Sequence, residues 1–236
     1  MKKNILFTLL TFLSFSVYTQ TTLFNSLLQT HVSQNGNVDY KSFKKDEAKL
    51  DKYLNYLATT SPKKSYSAAK IKAFWANAYN AYTIKLILEN YPLKSITNIK
   101  KKGKDAWNIP FAKVGNKTYT LNHIEHEILR KNFNDPKIHV AVNCASISCP
   151  QLGNFAFTEA NYEAKTEKLM KKFINDPKRN KLTENKLQLS KIFEWFKGDF
   201  IKQGSLIEFL NKYATTKISE KAKIHYLEYD WSLNGK

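Results

Sequence analysis

The sequence AAKIKAFWANAYNAYTIKLILENY, residues 68–91, carries the strongest helical pattern of the chain. Pro92 follows it, and proline ends a helix because it has no backbone N–H to donate. The apolar side chains return at the three- and four-residue spacing of one helix face, at Ile71, Phe74, Trp75, Ala78, Tyr79, Tyr82, Leu86 and Tyr91. The pattern therefore predicts a long helix over 68–91.

Shorter elements are predicted before and after this helix. Apolar spacing and capping residues predict helices over 24–31, 41–58, 121–133, 158–174, 191–200 and 206–213. Turn residues and short apolar runs predict strands over 111–114, 117–120, 138–142, 186–189 and 224–229. Helices dominate and do not alternate regularly with the strands. We therefore predict an α+β fold, a mostly helical single domain with a small sheet of short strands.

Residues 1–20 have the composition of a signal peptide. Lys2 and Lys3 precede an apolar run from Ile5 to Val17, and a polar stretch follows the run. The run is shorter than the roughly 20 apolar residues that cross a membrane, although a membrane-anchored N-terminal helix is the alternative. We therefore expect an exported protein, periplasmic or secreted. Its mature part, 21–236, is expected to form one globular domain without stable membrane insertion.

The chain is strongly basic, with 38 Lys and Arg against 20 Asp and Glu and a net charge of +18. Only Arg130 and Arg179 are arginines, and the lysines are spread along the chain rather than gathered in one stripe. We therefore expect no nucleic-acid partner and a soluble, lysine-rich surface. Weak attraction to anionic cell-envelope polymers is the other interpretation. We expect no cofactor and a monomer.

Two cysteines, Cys144 and Cys149, lie in the segment NCASISCP, residues 143–150. This segment follows the predicted strand 138–142, and the end of a buried strand suits a nucleophile because rigid backbone and free amides surround the side chain there. A thiol near such amides gains thiolate character. Three interpretations stay open: Cys144 as a nucleophile, a local disulfide between the two cysteines, or two inert buried thiols.

Three histidines are candidate partners for the nucleophile. His123 and His126 are three residues apart and share one face of the predicted helix 121–133, with Glu125 beside them. Their spacing is not that of the His-Glu-x-x-His zinc proteases, so we expect no metal site. The helix carries either a general base with an orienting partner or a solvated face with one structural histidine. His139, in the predicted strand, is either a hydrogen-bonded core residue or the base.

Polar residues in two apolar segments complete the candidates. Asn77 and Asn80 lie in the long helix, where asparagine is unfavourable and needs partners if buried. They are expected to line a pocket or to hold the segment 143–150. The C-terminal stretch YDWSLN, residues 229–234, is rich in aromatic residues. We expect it to be docked on the domain, with Asp230 orienting a histidine or binding backbone amides.

Four segments in order resemble one family, called domain of unknown function 547. They are FWANAYNA over 74–81, LNHIEHEILR over 121–130, IHVAVNCASISCP over 138–150 and YDWSLN over 229–234. Trp195 and Phe200 also fit, and the resemblance covers about 38–234. It implies no settled activity, but it places these Cys, His and Asn positions in one signature and favours a site shared by Cys144 and His126. The order of His, then Asn-Cys, is also similar to that of permuted papain-like thiol hydrolases.

The leading hypothesis is a cysteine-dependent hydrolase or acyltransferase. Cys144 is its nucleophile, His126 or His139 its base, and Glu125 or Asp230 the residue that orients the base. The candidates for oxyanion support and substrate binding are Asn77, Asn80, Asn143, Tyr79, Trp75, Ser146, Arg130 and Asp230.

Two other hypotheses stay open. The first is a thiol–disulfide protein that uses Cys144 and Cys149, although their spacing differs from the Cys-x-x-Cys of thioredoxin-like proteins. The second is a non-catalytic module that binds a cell-envelope peptide or glycan in a groove formed by Trp75, Trp107 and Tyr79. The sequence names the substrate in none of these cases.

Overall fold

The structure, a computed structural model, describes residues 20–235. The predicted signal peptide, residues 1–20, lies outside the described residues except for Gln20. The helices are α1 (20–31), α2 (Tyr40–Lys45), α3 (Glu47–Thr59), α4 (Ala68–Asn90), α5 (His123–Arg130), α6 (Ile138–Ala141), α7 (Tyr162–Ile174), α8 (Ile192–Trp195), α9 (Lys197–Phe200) and α10 (Leu206–Asn211), with a 3-10 turn over Ile96–Asn98.

The strands form three small sheets within the described residues, where a single small sheet was predicted. Two are antiparallel hairpins, β1 (Lys100–Lys101) with β2 (Lys104–Asp105) and β3 (Ala112–Val114) with β4 (Lys117–Tyr119). The third has the order β5 (Lys181–Leu182), β6 (Lys186–Leu189), β7 (Lys223–Tyr226), and β6 and β7 are parallel. The mostly helical α+β fold class is confirmed.

Helix α4 lies at the centre of the fold, and the predicted long helix is confirmed. Ser67 caps it, because the Ser67 hydroxyl accepts a hydrogen bond from the Lys70 N–H at 3.2 Å. Helices α2, α3, α5, α6 and α7 all pack against α4. Side chains around most of its circumference are therefore buried, not only those of the predicted apolar face. Lys72 is 6% exposed, and its ammonium pairs with Asp135 and Glu163 because a buried charge needs partners.

Residues 138–141 form the helical turn α6, where a strand was predicted. The Asp135 carboxylate accepts a hydrogen bond from the Lys137 N–H at 3.0 Å, and Pro136 supplies a backbone angle suited to a first helical turn. This start signal outweighs the strand preference of the β-branched residues that follow. The segment with the cysteines therefore follows a helix end rather than the end of a strand.

Residues 121–132 are helical as predicted, and the central part, α5, is wound as a π-helix. Thr120 caps this helix, because the Thr120 hydroxyl accepts from the His123 N–H at 3.0 Å. Single π turns within helices are frequent at functional sites. This one carries Glu125 and His126 of the predicted site.

Other boundaries differ from the prediction by a few residues. The predicted helix 41–58 divides into α2 and α3 at Asp46, whose carboxylate accepts a hydrogen bond from His31 Nε2 at 2.9 Å. The predicted helix 191–200 divides at Phe196, and α7 begins at Tyr162. Across the described part of the chain, no helix is both long and apolar enough to cross a membrane.

Candidate active site around Cys144

A cleft of about 160 Å³ holds several of the residues singled out in the sequence. Both cysteines, two histidines and a glutamate line one cavity that opens to solvent. The predicted residues in its lining are Tyr79, Trp107, Glu125, His126, His139, Cys144 and Cys149. The other lining residues are mostly aromatic or aliphatic: Asn122, Val142, Ile192, Trp195, Phe196, Tyr229 and Trp231.

Two asparagine side chains hold the segment that carries Cys144. The Asn80 side chain donates to the carbonyl at the end of α6 (2.9 Å) and accepts from the Asn143 N–H (2.9 Å). The Asn143 side chain donates to the Pro150 carbonyl (2.8 Å) and accepts from the Ala145 N–H (2.9 Å). Backbone groups thus satisfy the hydrogen-bonding atoms of both side-chain amides, as the burial of these side chains requires. Both asparagines position Cys144 and lie outside the cleft lining.

The chain turns sharply at Ala145, directly after Cys144. Ala145 has a φ of +59°, in the left-handed region that residues with a Cβ rarely adopt. Hydrogen bonds hold this conformation on both sides, because Asn143 accepts from the Ala145 N–H and the Asn234 N–H donates to the Ala145 carbonyl at 3.0 Å. The turn is therefore in direct contact with the C-terminal segment.

The C-terminal segment 229–234 docks along the residues that follow Ala145. The Ser232 carbonyl accepts from the Ile147 N–H (2.8 Å), and the Asp230 carbonyl accepts from the Ser148 N–H (3.2 Å). The Asp230 carboxylate accepts from the Ser232 N–H at 2.8 Å. Asp230 therefore stabilises the turn of its own segment and does not orient a histidine. The docking also brings Tyr229 into the cleft.

The thiol of Cys144 has three polar neighbours. Cys144 Sγ lies 3.1 Å from the Ser146 hydroxyl and 3.3 Å from the Tyr229 hydroxyl. A hydrogen bond from Cys149, opposed by burial and supported by Ser146 and Tyr229, lowers the pKa of Cys144 from 9.0 to about 7. Donors that stabilise the thiolate therefore outweigh desolvation. Within residues 20–235, no hydrogen bond joins this thiol to a histidine.

Cys149 is the buried partner of Cys144, and both are free thiols. Burial, with the nearby Cys144, raises the pKa of Cys149 well above its ordinary value. Cys149 Sγ also accepts a hydrogen bond from the Cys144 N–H at 3.2 Å. The two cysteines therefore differ in chemistry: Cys144 has thiolate character near neutral pH, and Cys149 keeps its proton.

A charged network connects the two histidines of the cleft. His139 Nε2 lies 2.8 Å from Asp199 Oδ2, and Arg130 Nε donates to the same oxygen at 2.7 Å. Arg130 Nη1 lies 3.0 Å from His126 Nδ1, and the guanidinium stacks on Phe196. Burial raises the pKa of Asp199, but the hydrogen bonds from His139 and Arg130 outweigh it and hold that pKa below its ordinary value. Asp199 is therefore ionised at neutral pH.

These partners determine which nitrogen of each imidazole carries hydrogen. A guanidinium only donates, so His126 Nδ1 accepts from Arg130 and the neutral His126 ring has its hydrogen on Nε2. An ionised carboxylate only accepts, so His139 donates from Nε2 and keeps a lone pair on Nδ1. Burial lowers the pKa of His139 despite Asp199. The cleft thus holds one donor, His126, and one neutral acceptor, His139.

Glu125 is paired with Tyr79 in the wall of the cleft. Burial raises the pKa of Glu125, although His126 and a hydrogen bond with Tyr79 oppose this effect. Burial also raises the pKa of Tyr79. The carboxylate that pairs with His139 is that of Asp199, not that of Glu125. Within residues 20–235, no group of three or more His, Cys, Asp and Glu side chains is arranged to hold a metal ion.

Comparison with protein-family models gives one match, over residues 63–174, to the family described as "Protein of unknown function, DUF547". Residues 63–174 of the chain are therefore similar to the DUF547 family. The match includes α4, α5, α6 and the Cys144 segment, and it lies within the range 38–234 of the resemblance in the sequence. Comparison with curated proteins and with solved structures found no match.

Two predicted residues within the matched range lie away from the cleft. The Asn77 side chain donates to the Phe157 carbonyl (2.8 Å) and accepts from the Phe157 N–H (2.9 Å), so it holds the chain that precedes α7. Trp75 is 6% exposed and packs edge-on against Tyr119. Neither residue lines the cleft, so the oxyanion role of Asn77 and the binding role of Trp75 have no geometric support.

Two residues beyond the matched range contribute to the site and were missed from the sequence. Asp199 orients His139, and Tyr229 contacts the Cys144 thiol. The sequence marks Asp199 only as an acidic residue inside the aromatic stretch FEWFKGDF, residues 193–200. It marks Tyr229 only as the first residue of YDWSLN. Arg130 and Ser146, both predicted, lie beside the histidines and the thiol, respectively.

Tyr229→Phe is expected to raise the pKa of Cys144. The substitution removes a hydroxyl that stabilises the thiolate, and a hydrogen bond to a charged group is worth about 1.5–3 kcal/mol, or roughly one to two pKa units. The rate of iodoacetamide alkylation measured against pH gives this pKa. The matched control is Tyr226→Phe, a half-buried tyrosine on β7. An unchanged pKa in Tyr229→Phe would exclude a role for this hydroxyl.

Proposed function

We propose that this protein is a thiol-dependent acyl-transfer enzyme, a hydrolase or acyltransferase with Cys144 as its nucleophile. One observation carries the proposal: a half-buried thiol with three stabilising neighbours shares a cleft with two imidazoles whose hydrogens are fixed by charged partners. Nucleophilic catalysis needs this combination of an activated nucleophile, a base and the group that orients the base.

Acylation begins at Cys144. The thiolate attacks a carbonyl carbon, a C–S bond forms, and the carbonyl electron pair moves onto oxygen. The Nε2–H of His126 and the Tyr229 hydroxyl are the donors available to this oxyanion. The thiol proton is taken up by His139 Nδ1 and passes to the leaving group as the bond between the carbonyl carbon and the leaving group breaks. Among residues 20–235, no hydrogen bond joins Cys144 to a histidine, so the substrate or a water completes this route.

Deacylation uses His139 as a general base. Its Nδ1 removes a proton from water, or from an acceptor hydroxyl or amine, as that group attacks the thioester carbonyl. The C–S bond breaks, and the proton on His139 returns to the Cys144 sulfur. Asp199 stabilises the imidazolium that forms in each half-reaction. His139 therefore fits the role of base better than His126, whose Nδ1 already faces Arg130.

The test uses p-nitrophenyl acetate as an acyl donor and iodoacetamide as a thiol probe. We expect a burst of p-nitrophenolate with a mass increase of one acetyl group on Cys144. Alkylation of Cys144 should rise with pH through about 7 and level off above it, because the pKa is lowered from 9.0. A rate that keeps rising through pH 9, or labelling that spares Cys144, would contradict the proposal.

A thiol–disulfide function is the second candidate, because Cys149 contacts the Cys144 backbone at 3.2 Å. This function requires that treatment with an oxidised thiol reversibly lowers the mass of the protein by two hydrogens, as a disulfide forms. A chain that stays in the dithiol form under those conditions would exclude it. The aromatic lining of the cleft supports binding of a cell-envelope peptide or glycan in either case.

We also propose that the reaction takes place in the periplasm or outside the cell. The support is the charged, then apolar, then polar order of residues 1–20. N-terminal sequencing of the protein from producing cells should give a start near residue 20, and an intact Met1 would contradict export by signal cleavage.

A further inference from the structure

A lysine-rich hairpin directly precedes Trp107, which lines the cleft. Strands β1 and β2 carry Lys100, Lys101 and Lys104, all exposed, and Lys101 lies directly opposite Lys104 in the register. Like charges facing each other across a hairpin destabilise it. The lysine ion pairs of the described residues involve other positions, such as Lys70, Lys85 and Lys131, and none involves this hairpin. The hairpin therefore concentrates positive charge at a cost to its own stability.

Few acidic residues are near enough in sequence to neutralise this charge. The segment 90–124 holds seven lysines and a single acidic residue, Asp105. Asp105 lies opposite Lys100 in the register, but its carboxylate accepts from the N–H groups of Trp107 (3.1 Å) and Asn108 (3.0 Å) and forms no ion pair with a lysine among the described residues. The lysines of the hairpin therefore remain available to an external anion.

Asp105 also connects the hairpin to the cleft. By holding the Trp107 backbone it fixes a residue that lines the cleft and packs edge-on against Trp231 at 5.4 Å. The Lys94 carbonyl accepts from the Leu233 N–H at 2.9 Å, so Lys94 lies beside the segment that carries Trp231. Hydrogen bonds thus connect the hairpin and Lys94 to the segments that carry the two tryptophans, which form this rim of the cleft.

The rim continues as an aromatic wall. Trp231 stacks with Trp195 at 5.9 Å and an interplanar angle of 20°, and both contact Tyr229. Trp195 is 46% exposed, which is unusual for so large an apolar side chain. Flat aromatic faces accept the C–H faces of sugar rings and leave the sugar hydroxyls free to bind water or polar groups.

We propose that the substrate is an acidic polysaccharide, whose rings stack on the aromatic wall and whose anionic groups pair with the lysines of the hairpin. This inference rests on the acyl-transfer function. Single-stranded nucleic acid would also fit such a surface, because it combines negative charge with bases that stack. The acyl-transfer function favours the polysaccharide. Polysaccharides carry ester- and amide-linked acyl groups for Cys144 to attack, and the phosphodiester backbone carries none.

Binding is tested with polygalacturonate, and with dextran as the neutral polymer, by quenching of tryptophan fluorescence at low and high salt. The hairpin variant is Lys100→Glu with Lys101→Glu and Lys104→Glu. The matched control is Lys168→Glu with Lys171→Glu and Lys178→Glu, which changes the net charge equally at exposed positions on or after α7. We expect the hairpin variant to bind polygalacturonate at least about tenfold more weakly and the control to change little, with binding by the unmodified protein weakened by salt.

Four results would overturn the proposal: no binding of polygalacturonate, equal binding of dextran, equal loss in both charge variants, or tighter binding of poly(dT). Trp195→Ala, at an exposed position, provides a second variant that should weaken binding without unfolding the protein. Cys144→Ala should bind polygalacturonate normally, and the hairpin variant should keep its iodoacetamide labelling. Failure of substrate recognition and failure of the acyl-transfer function are thus distinguishable.

Discussion

Cys144→Ala should abolish the burst of p-nitrophenolate and reduce turnover by a factor on the order of 10³ or more, since removal of a nucleophile leaves only binding and oxyanion contacts. The Cys144 sulfur contacts Ser146 and Tyr229 and lines the cleft. The loss of turnover therefore results from the absence of this one reacting atom. Alanine at this position keeps the backbone bonds that hold the segment. The unfolding transition in urea should therefore change little, and steady-state kinetics give the activity.

Cys149→Ala is the matched control for the nucleophile. Cys149 is buried and supplies the largest contribution to the low pKa of Cys144. Its removal should leave the acyl-enzyme on Cys144 while shifting the pH dependence of acylation upward. Loss of acylation in Cys149→Ala together with full activity in Cys144→Ala would reverse the two roles and contradict the assignment.

Part of the fold could be predicted because its signals are local. The helix 68–91 has its spacing, its cap and its terminating proline within one stretch of sequence. The turn at 138–141 was missed because the β-branched run and the Asp135-Pro136 start indicate different structures, and packing of α6 on α7 favours the helix. The division of the strands into three sheets could not be predicted, because it depends on which strands pair. The pairing of β6 with β7, for example, joins residues that are distant in sequence.

The site shows the same division between local and distant information. Cys144, His126 and His139 are marked by their own motifs, and the structure places all three in one cleft. The partners that give each its chemistry are far along the chain: Asp199 is 60 residues from His139, and Tyr229 is 85 residues from Cys144. Asn80 was recognised as needing a partner and Asn143 as a candidate for oxyanion support, but whether their side chains faced backbone or substrate depended on the path of the Cys144 segment.

Asp199→Asn should reduce turnover by a factor on the order of 10²–10⁴, the scale expected when a base loses its orienting carboxylate. The carboxylate requires His139 to donate from Nε2 and so leaves the lone pair on Nδ1. An asparagine amide can donate to Nε2 instead, which moves the hydrogen to Nδ1 and blocks proton uptake there. Iodoacetamide labelling of Cys144 at neutral pH should persist, because the contacts that lower the pKa of the thiol do not include Asp199.

Asp230→Asn is the control, because Asp230 bonds only the Ser232 N–H of its own turn among the described side-chain contacts. It should keep most of the turnover. The pH profile of turnover separates positioning from general destabilisation. In the unmodified protein the low-pH limb of this profile reflects Cys144 and His139 together. In Asp199→Asn this limb should change shape. The midpoint of urea unfolding of Asp199→Asn should stay close to that of the control. Equal turnover in the two variants would mean that Asp199 supports only the packing around α9, and the base would have to be sought at His126.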